Sequence, residues 1–476
     1  MEELKVYISN IDPNLLNSIG GRPGELIALI QSEKFISEKA LATHLFDGKW
    51  SYQNYLNLKN KTRKILSAFF LISPPKKNNE LLKKIRQCRQ IYFTAMYLIE
   101  IGKRAEAHKM LIKAGKIAEE YGLTRLAYQS AIELMAAASL GGKRSKYVSY
   151  NKLAESLFQD LEAEDAAERE YYELVLSMNS KKGLSKKLLD KCLEQVAKYD
   201  SNSVKFLQYS CMIAIFKHLH TADYQAIVQA ATKALRRLQN RKGVYRSVLQ
   251  FIVKNQAIAH TALGEYDQAE RLLRQAEEYA PAHSYNLAIL RYYQAVNALH
   301  SGDYQAAYQL YRQQRKTKYL QLREQWQVMA VYMYFLKKVG RLDTGTDRFP
   351  IGRYLNEAHE VAHDKKGNNL NVRIGELLYH LVNDRGRFID RVEAIDAYSY
   401  KHLRGPDTRR AKWFIHILCL MPQADFNPLR LVRLAKRYVE YLQDNPLHMG
   451  DKLAVEIIPF NILLSILLKE LQRKVA

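Results

Sequence analysis

The strongest constraint on the fold of this chain is a turn-and-helix pattern in residues 262–281, ALGEYDQAERLLRQAEEYAP. Gly264 permits a tight turn between two helices, because glycine adopts positive φ without strain. Ala269 and Ala276 are small enough to let two helices approach closely, and Pro281 cannot continue a helical hydrogen-bond ladder. The segment therefore predicts the second helix of a helical hairpin, with its preceding turn and its end.

The same pattern recurs along the chain. Gly302 with Tyr304 repeats it downstream, and Ala222 with Tyr224 gives it upstream, at spacings of about forty residues, the size of a two-helix repeat. Only 11 prolines and 21 glycines interrupt 476 residues, which favours long helices. Looser echoes of the turn are centred on Gly102, Gly142, Gly183, Gly340 and Gly386.

These repeats, from about residue 85 to the end, resemble the tetratricopeptide family of helical hairpins. The first helix departs from the family pattern, since Val253, Gln256 and Ala257 stand where a tryptophan and a Leu-Gly pair are common. The chain also resembles divergent repeat proteins of Gram-negative bacteria. The resemblance implies an all-α, right-handed superhelix, a solenoid of about nine helix pairs, that binds peptides or proteins along a concave face formed by the first helices.

The chain divides into three predicted regions. Residues 1–75 do not follow the repeat and predict a small bundle of short helices, one of them capped by Ser37. The consecutive prolines Pro74 and Pro75 exclude helix and mark the boundary. Residues 76–405 carry the helical repeats, and residues 406–476 return to helix pairs that would cap the stack.

Inward-facing aromatic side chains on the first helices are the predicted ligand contacts, because they offer large contact area and a polar group at low entropic cost. The alternative is that these tyrosines pack between long helices. Counting back from each turn gives the candidates Tyr92, Phe93, Tyr209, Phe216, Lys254, Asn255, Tyr292, Tyr293 and Tyr334. The predicted function is a non-enzymatic scaffold for a protein or peptide ligand.

The formal net charge of +24 favours acidic ligands and leaves nucleic acid as an alternative partner. The helices after Ser37 have a helix–turn–helix character that places basic residues on a candidate recognition helix. The alternative is a solvated basic surface. The predicted basic patch comprises Lys59, Lys61, Arg63, Lys64, Lys233, Arg236, Arg237, Arg241 and Lys242.

The segment HEVAH is the only motif that suggests catalysis. On a helix it would place His359 and His363 one turn apart, with Glu360 beside them as a general base for zinc hydrolysis. A third ligand at a typical spacing is missing, so a surface or groove pair is the favoured interpretation. The sequence has no P-loop, GxGxxG or GxSxG motif, and we expect neither an enzyme nor a bound cofactor.

Four cysteines lie far apart without a CxxC motif, which predicts core residues in a reducing compartment. The chain begins without an apolar signal segment and contains no uninterrupted apolar stretch of membrane-spanning length. We therefore expect a cytoplasmic protein that does not insert into a membrane.

Overall fold

The computed structural model describes residues 2–33, 37–46, 52–72, 79–178, 184–349, 351, 368–403, 408–445 and 456–475. Within these ranges the chain forms 23 helices and no strand, which confirms the predicted all-α class. The His359–His363 motif, Pro74, Pro75 and the predicted turn at Gly183 lie outside the described residues.

The described residues fall into two compact units. Unit 1 comprises residues 1–162 with 241–243, and unit 2 comprises residues 163–240 with 244–476. One long helix, α9 (Arg144–Met178), contributes residues to both units. The helices that begin in unit 1 are α1 (Glu2–Asn10), α2 (Pro13–Asn17), α3 (Gly21–Gln31), α4 (Glu38–Leu45), α5 (Tyr52–Ile72), α6 (Glu80–Glu100), α7 (Arg104–Glu120), α8 (Thr124–Leu140) and α9 (Arg144–Met178).

The helices of unit 2 follow one another in hairpin order. They are α10 (Lys186–Val196), α11 (Val204–Thr221), α12 (Tyr224–Leu238), α13 (Arg246–Ala262), α14 (Tyr266–Tyr279), α15 (Tyr285–Ser301), α16 (Tyr304–Gln314), α17 (Leu320–Lys338), α18 (Asn368–Asn383), α19 (Arg385–His402), α20 (Arg409–Cys419), α21 (Pro428–Leu434), α22 (Lys436–Asp444) and α23 (Phe460–Val475).

The predicted turns lie between the helices of each hairpin. Ala222, Gly264 and Gly302 have φ values of 52°, 80° and 86°, the left-handed conformation that ends many helices. Asp223 and Asp303 then cap the second helices, because their carboxylates accept hydrogen bonds from the backbone N–H groups three residues further on, those of Ala226 and Ala306. The turns predicted at these three positions are confirmed, as are those at Gly102, Gly142 and Gly340, which also have positive φ. The prediction at Gly386 is wrong in detail, because this residue lies in the first turn of α19, which Asp384 caps.

Small side chains bring the two helices of a hairpin together. Ala269, Ala276 and Ala307 are fully buried. The pairs α11–α12, α13–α14 and α15–α16 are each in contact, and the first helices α11, α13, α15 and α17 also touch one another in that order. Unit 2 therefore contains a stack of hairpins in which the first helices form one continuous layer.

The N-terminal helices have a core of their own. Ser37 caps α4 by accepting a hydrogen bond from the backbone N–H of Ala40 at 3.2 Å, as the sequence predicts. Leu26, Leu41 and Tyr55 are buried together between α3, α4 and α5. None of the helices described in either unit combines the length and hydropathy needed to span a bilayer.

The predicted core role of the cysteines is confirmed for three of them. Cys88, Cys192 and Cys211 are buried as free thiols, and Cys419 is half-buried. Burial raises the pKa of the Cys88 thiol to about 11, which keeps it protonated and unreactive at neutral pH.

Candidate functional site

A cavity of about 480 Å³ opens on the layer of first helices in unit 2. We call it the tyrosine pocket. Its walls carry six aromatic rings, two lysines and three side-chain amides, and none of the described residues that line it is acidic. The lining is defined by the rings Tyr171, Tyr172, Tyr209, Tyr245, Phe251 and Tyr285 together with Lys205, Lys254, Gln208, Gln250 and Asn286.

The pocket-facing residues of α11 form a single helical stripe. Lys205, Gln208, Tyr209 and Met212 stand at positions i, i+3, i+4 and i+7, the spacing that places side chains on one face. The opposite face of α11 packs into the core. This helix can therefore present polar and aromatic groups to the pocket while its apolar residues hold the hairpin.

The next helix repeats this stripe in register. Counted back from Gly264, Ser247, Gln250, Phe251 and Lys254 occupy the same positions on α13 that the four residues of α11 occupy ahead of Ala222. On α15 the pocket is lined by Tyr285, Asn286 and Ile289. The pocket is therefore built by equivalent positions of successive repeats and crosses the helices from one hairpin to the next.

Aromatic rings in mutual contact form one wall of the pocket. The Tyr171 ring lies 5.2 Å from that of Tyr209 and 5.9 Å from that of Phe216, and Phe216 lies 5.3 Å from Phe251, between ring centroids. Tyr172 is 55% exposed at the edge of this cluster. The buried members fix the positions of the rings that remain open to a ligand.

A carboxylate behind the wall orients two polar side chains. Glu168 accepts hydrogen bonds from Lys205 Nζ at 2.6 Å and from Tyr209 Oη at 2.8 Å. Burial acts to raise the pKa of Glu168, but the hydrogen bonds from Lys205 and Tyr209 outweigh it, so that the pKa lies below its ordinary value. Burial and the hydrogen bonds to Tyr172 and Glu168 raise the pKa of Tyr209, which stays a neutral phenol.

Two of the predicted groove residues line the pocket. Tyr209 contributes its ring, and Lys254 extends from α13 with its ammonium 5.7 Å from the ring centroid of Phe251. Phe216 is 4% exposed and supports the wall from behind. Neighbouring Asn255 is also buried, and its amide donates to the backbone oxygen of Phe251 at 2.8 Å.

The other predicted groove residues lie elsewhere. Tyr292 and Tyr293 are 2% and 8% exposed in the core, where the Tyr292 ring lies 5.4 Å from that of Trp326. Tyr334 is half-buried on α17, and its hydroxyl donates to Asn383 at 2.8 Å. For these three residues the structure corresponds to the alternative reading, in which tyrosines pack between helices.

Tyr92 and Phe93 belong to unit 1. Tyr92 is 8% exposed in the core of α6–α8, whereas Phe93 is 64% exposed on the outer face of α6. Neither residue takes part in the pocket of unit 2.

Sequence reasoning missed Tyr171, Tyr172, Tyr245, Phe251 and Tyr285. A usable signal existed for Phe251, which occupies the same position ahead of its turn as Tyr209 does. Tyr171 and Tyr172 lie in the long helix α9, 12 and 11 residues ahead of the predicted turn at Gly183, which are not the positions that face the pocket on α11 and α13. A count back from a turn could not locate them.

The basic residues of α5 are partly neutralised by neighbours. Lys59 forms an ion pair with Glu38 at 2.9 Å, and Arg63 lies 3.8 Å from Glu3. Lys61 and Lys64 are exposed. Half of this predicted cluster therefore has acidic partners within unit 1.

The second basic cluster is exposed along its whole length. Lys233, Arg236 and Arg237 project from α12, and Arg241 and Lys242 follow it. Lys242 pairs with Glu120 and lies 5.7 Å from the ring centroid of Tyr121.

No metal centre is found in the part of the chain that the structure describes: no three His, Cys, Asp or Glu side chains there come together as a metal-binding group. His359, Glu360 and His363, the predicted zinc motif, lie outside those residues. The zinc prediction therefore stays a prediction.

Comparison with known proteins adds no functional assignment to this geometry. The sequence matches no protein-family model, and no curated protein is significantly similar to it.

Proposed function

We propose that the protein is a non-enzymatic scaffold of the tetratricopeptide-like kind that binds a segment of a partner protein in the tyrosine pocket. The observation that supports this most is the position of the pocket on the first helices α11, α13 and α15, where equivalent positions of successive hairpins face the pocket together and Tyr171 and Tyr172 of α9 add to its lining. A stack of hairpins uses such a surface to contact an extended ligand across several repeats.

The chemistry of the lining suits a peptide. Aromatic side chains contribute a large share of the binding energy at protein interfaces. A tyrosine side chain has few rotatable bonds, so little conformational entropy is lost when a ligand fixes it. Tyr172, Tyr245 and Tyr285 are 55%, 44% and 37% exposed at the pocket. Their hydroxyl groups can exchange hydrogen bonds with a peptide backbone while their rings cover apolar side chains.

The size of the pocket limits what enters it. A cavity of about 480 Å³ lies within the range of about 300–1,000 Å³ that holds small ligands. It therefore accommodates a few residues of a peptide, and not a folded domain. The remainder of a partner segment would follow the exposed surface of the neighbouring first helices.

Selection from a random peptide library by the purified full-length protein tests the proposal. The variant Tyr245→Ala with Tyr285→Ala removes two exposed rings from the pocket, and we expect it to bind the selected peptides at least about tenfold more weakly. Tyr400→Ala is the matched control, because Tyr400 is 73% exposed on α19 outside the pocket. Peptides that bind the wild type and the double variant equally would exclude the pocket as the binding site.

A further inference from the structure

Two interhelical turns of unit 1 share a sequence and a backbone geometry. Residues 101–104, IGKR, span the turn from α6 to α7, and residues 140–144, LGGKR, span the turn from α8 to α9. In each turn a glycine with positive φ, Gly102 at 79° and Gly142 at 64°, precedes a lysine whose backbone N–H donates to the carbonyl oxygen five residues before it. Both turns therefore end a helix in the same way and lead into the next helix with a Lys-Arg pair.

The two turns lie at the same end of unit 1. Helix α7 contacts both α6 and α8, and short turns join the three helices, so that the start of α7 lies beside the end of α8. His108, near the start of α7, agrees with this arrangement, because burial and then the charges of Lys143 and Lys146 lower its pKa. The cations of both turns therefore belong to one surface. We call it the basic tip, and its cations are Lys103, Arg104, Lys143, Arg144 and Lys146.

The cations of the basic tip are exposed and have no acidic partner among the described residues. Glu100 and Glu106 lie on either side of the first turn, but residues 139–152 contain four basic residues and no acidic one. The tip therefore carries a net positive charge that is open to solvent.

Helix stability does not explain these cations. The N-terminus is the positive end of a helix dipole, where acidic residues stabilise a helix and basic residues destabilise it. The turns at Ala222, Gly264 and Gly302 in unit 2 follow this rule, because an acidic residue comes next in each of them. Lys103 instead precedes α7 without a side-chain capping hydrogen bond, and α9 has no acidic residue in its first turn. A local preference that is violated twice at equivalent positions is typical of a functional surface.

Apolar side chains project among these cations. Leu140, at the end of α8, is 73% exposed, and no large apolar side chain in the described residues is more exposed. Ile101 in the first turn and Val148 at the start of α9 are 51% and 55% exposed, and Tyr147 beside Val148 is 38% exposed. Single apolar residues are common on protein surfaces, whereas a group of them marks a site of interaction.

The combination favours a lipid surface over a nucleic acid. Single strands of nucleic acid stack on aromatic rings, but three of the four exposed apolar side chains are aliphatic. Aliphatic side chains instead enter the boundary between headgroups and acyl chains, where tyrosine is also favoured and where lysine and arginine contact anionic headgroups. Each basic residue close to such a surface adds to the attraction.

We infer that the basic tip attaches the protein to the surface of a bilayer that contains anionic lipids. Its cations contact the phosphate groups of the lipids, and its exposed aliphatic side chains enter the bilayer surface between the headgroups. Attachment of this kind requires no membrane-spanning helix. It does not depend on the proposed function, because every described residue that lines the tyrosine pocket belongs to unit 2.

Co-sedimentation of the full-length protein with vesicles tests the inference. One set of vesicles consists of phosphatidylcholine alone, and the other also contains phosphatidylglycerol. We expect the apparent dissociation constant to be at least about tenfold lower for the anionic vesicles, and to rise with salt concentration, because salt screens exposed charges. Equal binding to both sets, or no sedimentation with either, would overturn the inference.

Charge reversal tests the cations. Lys143→Glu with Arg144→Glu should weaken binding to the anionic vesicles at least about tenfold. This variant should fold like the wild type, because acidic residues suit the start of α9. The matched control is Lys233→Glu with Arg236→Glu, the same change at exposed positions of α12 in unit 2. If both variants lose binding equally, overall charge is responsible and the basic tip is not the site.

Replacement of the apolar side chains tests their entry into the bilayer. Leu140→Gln with Val148→Gln keeps every charge, and we expect it to bind the anionic vesicles at least about tenfold more weakly. Leu429→Gln with Val432→Gln, at exposed positions of α21, is the matched control and should bind like the wild type. Unchanged binding after the changes at Leu140 and Val148 would contradict entry of this surface into the bilayer and overturn the inference.

A nucleic acid as the partner of the basic tip would give a different set of results. The wild type would then bind a labelled single-stranded oligonucleotide but no vesicles, and charge reversal at Lys143 and Arg144 would abolish oligonucleotide binding. That outcome would show that the inferred lipid partner is wrong.

Discussion

A fall in pH should weaken the packing of the C-terminal segment, because one buried histidine that contacts this segment resists protonation. His300 on α15 is fully buried, and its Nε2 lies 2.9 Å from the backbone oxygen of Glu456, so this nitrogen carries the proton of the neutral ring. Nδ1 has no hydrogen-bond partner among the described residues. Burial lowers the pKa of His300 to about 4, and the bond to Glu456 opposes only part of that effect.

The magnitude follows from proton linkage. Because the pKa in the folded state lies below the ordinary value of 6.5, the unfolded chain binds more protons, and the stabilising effect is present above about pH 6.5 and lost as the pH falls toward 4. Between pH 7 and pH 5 this one group should reduce the free energy of unfolding by about 2 kcal/mol.

Urea unfolding of the wild type and of His300→Gln, each at pH 7 and pH 5, measures this difference. Glutamine keeps an N–H donor for the oxygen of Glu456 but does not titrate. We expect the wild type to lose about 2 kcal/mol more than the variant. Equal losses would refute the reasoning. The variant is needed because burial also lowers the pKa of His108, His218, His380 and His416.

Three further predictions concern the core, the C-terminal segment and the N-terminal helices. Tyr292→Ala should reduce the free energy of unfolding by about 3–5 kcal/mol, because it empties a buried ring site; a calorimetric melt close to that of the wild type would contradict this burial. Arg410→Ala should reduce the free energy of unfolding by about 3–5 kcal/mol, since it removes the ion-pair partner that lies 2.6 Å from the buried carboxylate of Glu456 in the wild type. Urea unfolding of Arg410→Lys should show that lysine recovers only part of this loss. If the N-terminal helices bind nucleic acid, Lys61→Glu with Lys64→Glu should abolish a salt-sensitive mobility shift, and a shift that survives both changes contradicts that alternative.

The hairpin turns could be predicted because their physics is local. A residue with positive φ, a following Asp that caps the next helix and a small residue one turn later are all present in the sequence at Ala222 and Gly302. Each of these features depends on residues within a few positions of one another. The helix ends therefore follow from the sequence without knowledge of the packing.

The direction of an aromatic side chain could not be predicted in the same way. A first helix in a stack contacts its own second helix and the first helices on either side, so most of its circumference is buried. Tyr209 and Tyr292 both lie on first helices, but Tyr209 faces the pocket and Tyr292 packs against Trp326. Their difference depends on the contacts between hairpins, which residues distant in sequence decide.

The repeat register nevertheless defines how the pocket ends. The position of Gln208 and Gln250 is taken by Ala288 on α15 and by Trp326 on α17, when each is counted back from its own turn residue. Ala288 and Trp326 are buried and apolar, so the row of amides at this register position stops after α13. The pocket consequently carries two glutamine amides on α11 and α13, whereas on α15 it is lined by one amide, Asn286, beside Tyr285 and the apolar Ile289.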